Sequence, residues 1–164
     1  MKEVKIHLCY SVCSFAELSV SDQKLISMAK ESAQKSYAPY SKFHVGAALF
    51  LSNGSYIVGN NQENASYPNG ICAERTALYQ AGAIYPQQTI KAMAIAACND
   101  KGVFTSSPCP PCGSCRQVML ESEVRQAATP IRLLLYGTDE CYIIEGGASA
   151  LLPLSFGCDV LTKQ

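Results

Sequence analysis

Asn53-Gly54, set between the apolar run Val45–Leu51 and the segment Ser55–Asn60, is the strongest local constraint on this chain. Both residue types tolerate positive φ, so the pair predicts a hairpin turning one strand back on another. Ala92–Cys98 reads as a buried strand, and Ile131–Tyr136 and Cys141–Ile144 complete a five-stranded core. Between the strands lie helical patterns. Over Ser21–Ser36, residues Leu25, Met28, Ala29, Ser32 and Ala33 share one face, with Ser21 or Asp22 as the expected N-cap. Pro39, in Tyr37-Ala-Pro-Tyr-Ser41, breaks that helix. Helices are also expected over Ala73–Ala83 and Gly113–Val124. Near the start, Val4, Ile6, Leu8 and Tyr10 alternate with Lys5, His7 and Cys9, a period-two pattern that predicts an added N-terminal strand. Strands alternating with helices imply an α/β layered domain.

A chain of 164 residues is one domain by size, long enough to bury about two-thirds of the surface its unfolded form exposes. No repeat or linker divides it, so residues 1–164 are read as one domain, with 1–20 as an extension before its core. Thirteen basic residues balance thirteen acidic ones and are scattered from Lys2 to Lys163. A nucleic-acid polymer or an anionic membrane needs clustered cations, so neither is an expected partner. The apolar runs fall far short of the roughly 18 residues a membrane span requires. The start lacks the charged-then-apolar pattern of a secretion signal, so a cytoplasmic location is expected.

Nine cysteines in such a chain argue against a complete disulfide framework, because the count is odd. Metal ligation for some and burial as small hydrophobes for the rest is the better reading. Cys112-Gly-Ser-Cys115 has a common zinc spacing, although Cys109-Pro-Pro-Cys112 overlaps it as a rival. Upstream, Cys72-Ala-Glu-Arg75 supplies a third thiol with a carboxylate and a guanidinium beside it. Cys72 and the Cys112-Cys115 pair fall where helices should begin, and helix N-termini favour thiolates. Three thiolates would weaken a dication as a Lewis acid, which Arg75 can offset by donating to ligand sulfurs. Three protein ligands leave a fourth position for water, as in catalytic zinc sites.

Five stretches carry a wider resemblance: Tyr40-Ser-Lys-Phe-His-Val-Gly-Ala47, Asn61-Gln-Glu-Asn-Ala-Ser-Tyr-Pro68, Ile71-Cys-Ala-Glu-Arg-Thr-Ala77, Pro111-Cys-Gly-Ser-Cys-Arg-Gln117 and Ser155-Phe-Gly157. In this order, between residues 22 and 160, the chain resembles the small zinc-dependent cytidine deaminases. The resemblance implies a three-layer α-β-α sandwich around a mixed five-stranded sheet. It implies one Zn²⁺ per subunit on Cys72, Cys112 and Cys115, with Glu74 as proton shuttle and zinc-bound hydroxide attacking C4 of the base. The implied reaction converts cytidine and deoxycytidine to uridine and deoxyuridine in pyrimidine salvage. Asn61 and Glu63 would contact the ribose, Phe43 would pack on the base, and the Ala73 N–H would hold its O2. Tyr67 and Phe156 would help to close pockets on neighbouring subunits of a homotetramer.

Two features depart from the family pattern: the longer loop that carries Cys109, and the segment 1–20. A blasticidin-type aminonucleoside deaminase shares the zinc motif, but Asn61, Glu63 and Ser155-Phe-Gly157 favour a nucleoside substrate. A non-catalytic module stapled by four thiolates, Cys109 included, is the other class. Cys9, Cys13, Cys98, Cys141 and Cys158 are expected as buried small side chains. His7 and His44 are expected in ordinary packing or surface roles, and Arg116 as a solvated helix charge.

Overall fold

The computed structural model describes residues 1–162. Its sheet is built from β1 (Ser11–Cys13), β2 (Phe43–Leu51), β3 (Tyr56–Asn60), β4 (Ile90–Asn99), β5 (Arg132–Tyr136) and β6 (Cys141–Ile144). The strands lie in the order β1-β6-β5-β4-β2-β3. Every neighbouring pair is antiparallel except β4 and β5, which run parallel with Met93 opposite Leu133. A parallel pair needs a crossover, and α3 (Gly113–Arg125) supplies it. The remaining helices are α1 (Val20–Ala33), α2 (Ala73–Ile84), α4 (Gly147–Leu151) and α5 (Cys158–Thr162).

Side-chain alternation divides the core in two. Ala47, Leu49, Met93, Ile95, Leu133 and Leu135 face α2, α3 and α4. Their sequence neighbours Ala48, Ala94, Ala96 and Leu134 face Leu25, Ile26 and Ala29 of α1. The expected three-layer arrangement is therefore present, around six strands instead of five.

The hairpin forms where expected, by a different turn. Leu51 N donates to Ser55 O at 2.9 Å and Gly54 N to Leu51 O at 3.0 Å, leaving a three-residue loop. Gly54 takes φ +85°, and Asn53 instead accepts the Ser55 amide on its side chain. Only the glycine needs the left-handed region. Gly59 answers a different demand: a Cβ there would lie 2.5 Å from both Ala73 O and Ala77 N. The missing side chain lets the first turns of α2 sit directly on β3.

The N-terminal half holds the corrections. Val4, Ile6, Leu8 and Tyr10 belong to no strand and are all exposed. The added strand comes later, with Ser11 opposite Ile143 and Cys13 opposite Cys141. Alternation alone cannot supply a partner, and β6 offers only four residues to pair with. Helix α1 starts earlier than expected, because Ser19, not Ser21 or Asp22, is its N-cap and accepts from Asp22 N at 3.2 Å. It also ends at Ala33, three residues short of Ser36. Cys98 and Cys141 are buried as expected and Cys13 is half-buried, whereas Cys9 and Cys158 are exposed.

Candidate metal centre and active site

Two helix N-termini converge on three sulfurs. Cys72 is the N-cap of α2, Cys112 is the N-cap of α3, and Cys115 lies in the first turn of α3. Their Sγ atoms all lie within 4.8 Å of one another. The Cys72–Cys112 separation is 3.8 Å and the Cys112–Cys115 separation 3.4 Å. Tetrahedral zinc with Zn–S bonds of about 2.3 Å sets its sulfurs about 3.8 Å apart, so these residues fit the ion. Cys109 stands outside this group and lies 3.9 Å from Pro110 O.

The electrostatics agree with the donor set. Hydrogen bonds from Cys115, then from Arg75 and Cys112, lower the Cys72 thiol to about 5. Cys115 moves in the opposite direction, because it donates to Cys72 and is buried. Helix N-termini add partial positive charge at the same place. Anionic sulfur is thus favoured at Cys72 before any metal binds.

Next to the sulfurs, Glu74 is 4% exposed, and burial raises its carboxyl above the ordinary range. It lines a cleft of about 470 Å³ together with Cys72, Arg75 and Cys112. The opposite wall carries Phe43, Asn61, Glu63 and Tyr67. Loops after β3 and before β2 thus face the helix ends across a space of small-molecule size.

The loop residues are held by backbone bonds. Asn61 Oδ1 accepts from Val45 N at 2.7 Å, and its Nδ2 donates to Phe43 O at 2.9 Å, bracing the start of β2. Glu63 Oε2 accepts from the Tyr40 and Ser41 amides at 2.9 and 3.2 Å. The Ser41 hydroxyl and then these amides hold its carboxyl below the usual range. Tyr67 is exposed on the cleft rim, 5.8 Å from the Tyr40 ring. Ala73 is fully buried at the first position of α2, where a helix leaves its amides without intrahelical partners. Phe156 lies outside the lining of this cleft; its carbonyl accepts from Gln117 Nε2 at 2.9 Å and the residue is exposed.

Arg116 departs from expectation. It is half-buried and donates to two backbone carbonyls, Pro111 O and Leu151 O, each at 2.8 Å. Its place directly after Cys115 is the only trace of this in the sequence. His44 bonds Ser36 Oγ through Nδ1 at 2.7 Å, and His7 is exposed.

Comparison with known proteins bears on the same residues. Residues 19–129 match the family described as the cytidine and deoxycytidylate deaminase zinc-binding region. The chain is similar to a cytidine deaminase of Halalkalibacterium halodurans, with 45% identity over 134 residues, covering 82% of this chain and 92% of that protein. A cytidine deaminase of Sporosarcina psychrophila is 37% identical over 140 residues, covering 85% and 94%. Among solved structures, the cytidine deaminase from Burkholderia pseudomallei superposes with a TM-score of 0.65 at 37% identity, covering 82% of this chain and 98% of that one. The matched span contains both converging helix ends and all three sulfurs, and the chain belongs to the cytidine deaminase family.

Proposed function

We propose that this protein hydrolyses the exocyclic C–N bond of cytidine and deoxycytidine, consuming water and releasing ammonia with uridine or deoxyuridine. The observation that carries the reading is the buried Glu74 carboxyl at the edge of the three-sulfur cluster, inside a cleft of nucleoside size. Cys72, Cys112 and Cys115 would hold one zinc per subunit, which when bound supplies Lewis acidity that makes water nucleophilic at neutral pH.

The chain's own groups do the rest. Glu74 takes a proton from the attacking water and passes it to N3 of the pyrimidine. It then takes the remaining proton from the new C4 hydroxyl and delivers it to the departing amine as the C–N bond breaks. A hydrogen bond from Cys115 keeps the carboxyl beside the sulfurs. The Ala73 amide, at a helix N-terminus, is suited to hold the base O2. Phe43 offers a ring face to the base. Asn61 uses one lone pair and one hydrogen on β2 backbone and keeps one of each for a ribose hydroxyl. Glu63, already oriented by two amides, contributes a charged acceptor for the same sugar.

Assembly belongs to the same proposal. Leu154, Phe156 and Tyr67 are exposed at 96%, 58% and 74%. Apolar side chains this open suit an interface, here a homotetramer in which Phe156 and Tyr67 help to close neighbouring pockets. A nucleoside-level reaction suits pyrimidine salvage in the cytoplasm. Loss of cytidine ultraviolet absorbance on adding zinc-loaded protein tests the reaction directly. Zinc-loaded protein that leaves both nucleosides intact would sink it, in favour of a metal-stapled binding module.

A further inference from the structure

The three sulfurs are not equally restrained. Cys115 is fully buried among core residues. Cys72 is half-buried and receives Arg75 Nη2 at 3.8 Å. Cys112 is exposed, and its side chain makes no capping bond to the helix it begins. Packing therefore does least to hold Cys112, the exposed member of the three.

The peptide that enters Cys112 is held instead. Pro111 is fully buried, and its carbonyl lies outside the ladder of α3, whose first bond runs from Arg116 N to Cys112 O at 3.0 Å. Arg116 Nε donates to Pro111 O at 2.8 Å. That bond fixes the plane of the Pro111–Cys112 peptide, and with it the direction in which the Cys112 side chain leaves the backbone. Nη1 of the same guanidinium donates to Leu151 O at 2.8 Å, where α4 ends in a buried residue. A planar fork spanning two carbonyls cannot swing without breaking one bond.

We propose that Arg116 is a positioning residue for the exposed ligand Cys112, with the Leu151 carbonyl as its fixed anchor. This rests on the zinc reading of the three-sulfur cluster. Partners that orient metal ligands typically change affinity 10–100-fold when removed. Arg116→Ala should therefore weaken zinc binding, measured by chelator competition, by about 10–100-fold. It should also alter the sulfur-to-metal absorption bands of the cobalt(II)-substituted protein, because the coordination geometry changes. Arg116→Lys, with one ammonium in place of the fork, should lie between Arg116→Ala and the native protein in both readouts.

Gln117→Ala is the control. It removes the bond to Phe156 O but leaves Pro111 alone, so zinc affinity and cobalt bands should stay native. A purely architectural role for Arg116 would lower the unfolding temperature while leaving affinity and spectrum unchanged. Native affinity and bands in both Arg116 variants would overturn the inference. If Arg116→Ala does not fold, Arg116→Lys alone decides by the same criterion. A native protein that binds neither zinc nor cobalt would instead defeat the metal reading itself.

Discussion

Arg75 and Cys72 lie on the first turn of α2, and Nη2 of the arginine donates to the cysteine sulfur across 3.8 Å. Nε of the same guanidinium is buried and has no hydrogen-bond partner among the described residues. The cation is directed at the sulfur cluster and not at solvent, so it draws charge from the thiolates. Arg75→Ala should leave a more electron-rich metal and a less acidic bound water. The acid limb of the pH–rate profile should then move to higher pH, with activity at neutral pH falling by about tenfold. An unmoved profile would make Arg75 a helix charge without a role in the chemistry.

Glu74→Gln preserves size and hydrogen-bonding reach but removes the transferable proton. The variant should retain zinc and bind nucleoside while turnover falls by about 10²–10⁴ or more. Zinc analysis, equilibrium binding and single-turnover rates on one preparation separate these effects. Turnover close to native would be fatal to the proton-shuttle role.

Metal content distinguishes the two overlapping Cys-x-x-Cys pairs. Cys112→Ala should lose zinc, whereas Cys109→Ala should keep a full complement, because Cys109 stands apart from the three clustered sulfurs. The reverse result would transfer the ligand role to Cys109 and shift the site by three residues.

Glu123 gives a pH dependence of stability. It is 4% exposed, and its Oε1 accepts from Ile131 N at 2.9 Å and Ala148 N at 2.8 Å. Burial outweighs these bonds and raises the carboxyl above its ordinary 4.5. The folded state thus holds this proton more tightly than the unfolded chain. Its contribution to stability is complete below the unfolded value and is lost as pH rises through the raised folded value. Glutamine keeps the accepting oxygen without the charge. The stability difference between Glu123→Gln and the native protein should therefore move in the variant's favour from acid to neutral pH, measured by urea unfolding. A constant difference would show that the carboxyl titrates alike in both states.

Assembly is tested at Phe156. Light scattering of active native protein should give about four times the 17.6 kDa chain mass. Phe156→Ala should weaken nucleoside binding, assembly or both without removing zinc. A fully active 17.6 kDa species would exclude pockets shared between subunits.

Local chemistry made much of this legible in the sequence. Asn53-Gly54 carries its turn within four residues, and the short spacings of Cys72-Ala-Glu-Arg75 and Cys112-Gly-Ser-Cys115 place donors on single helix turns. What escaped depends on distant partners. The alternation over residues 4–10 is as strand-like as any in the chain, yet only residues 11–13 pair with β6. Ser19 outcompetes Ser21 as a cap through backbone geometry at the end of the preceding turn, which no composition rule weighs. Arg116 acquires its second carbonyl from Leu151, 35 residues away, so its chemistry exists only after α4 has docked.

Cys72 and Cys112 are 40 residues apart in sequence. A metal bridging them would therefore convert an open stretch of polymer into a ring that encloses β4, the strand joining β2 to β5. Only the folded chain holds the three sulfurs together, so the metal binds that state selectively and stabilises it. The gain grows with the logarithm of free metal over Kd and reaches about 4 kcal/mol at roughly 1,000 times Kd, a sizeable share of a small domain's whole stability. Metal shortage would then act on this protein twice, by silencing its chemistry and by shortening the life of the chain in a cell that clears unfolded polypeptides.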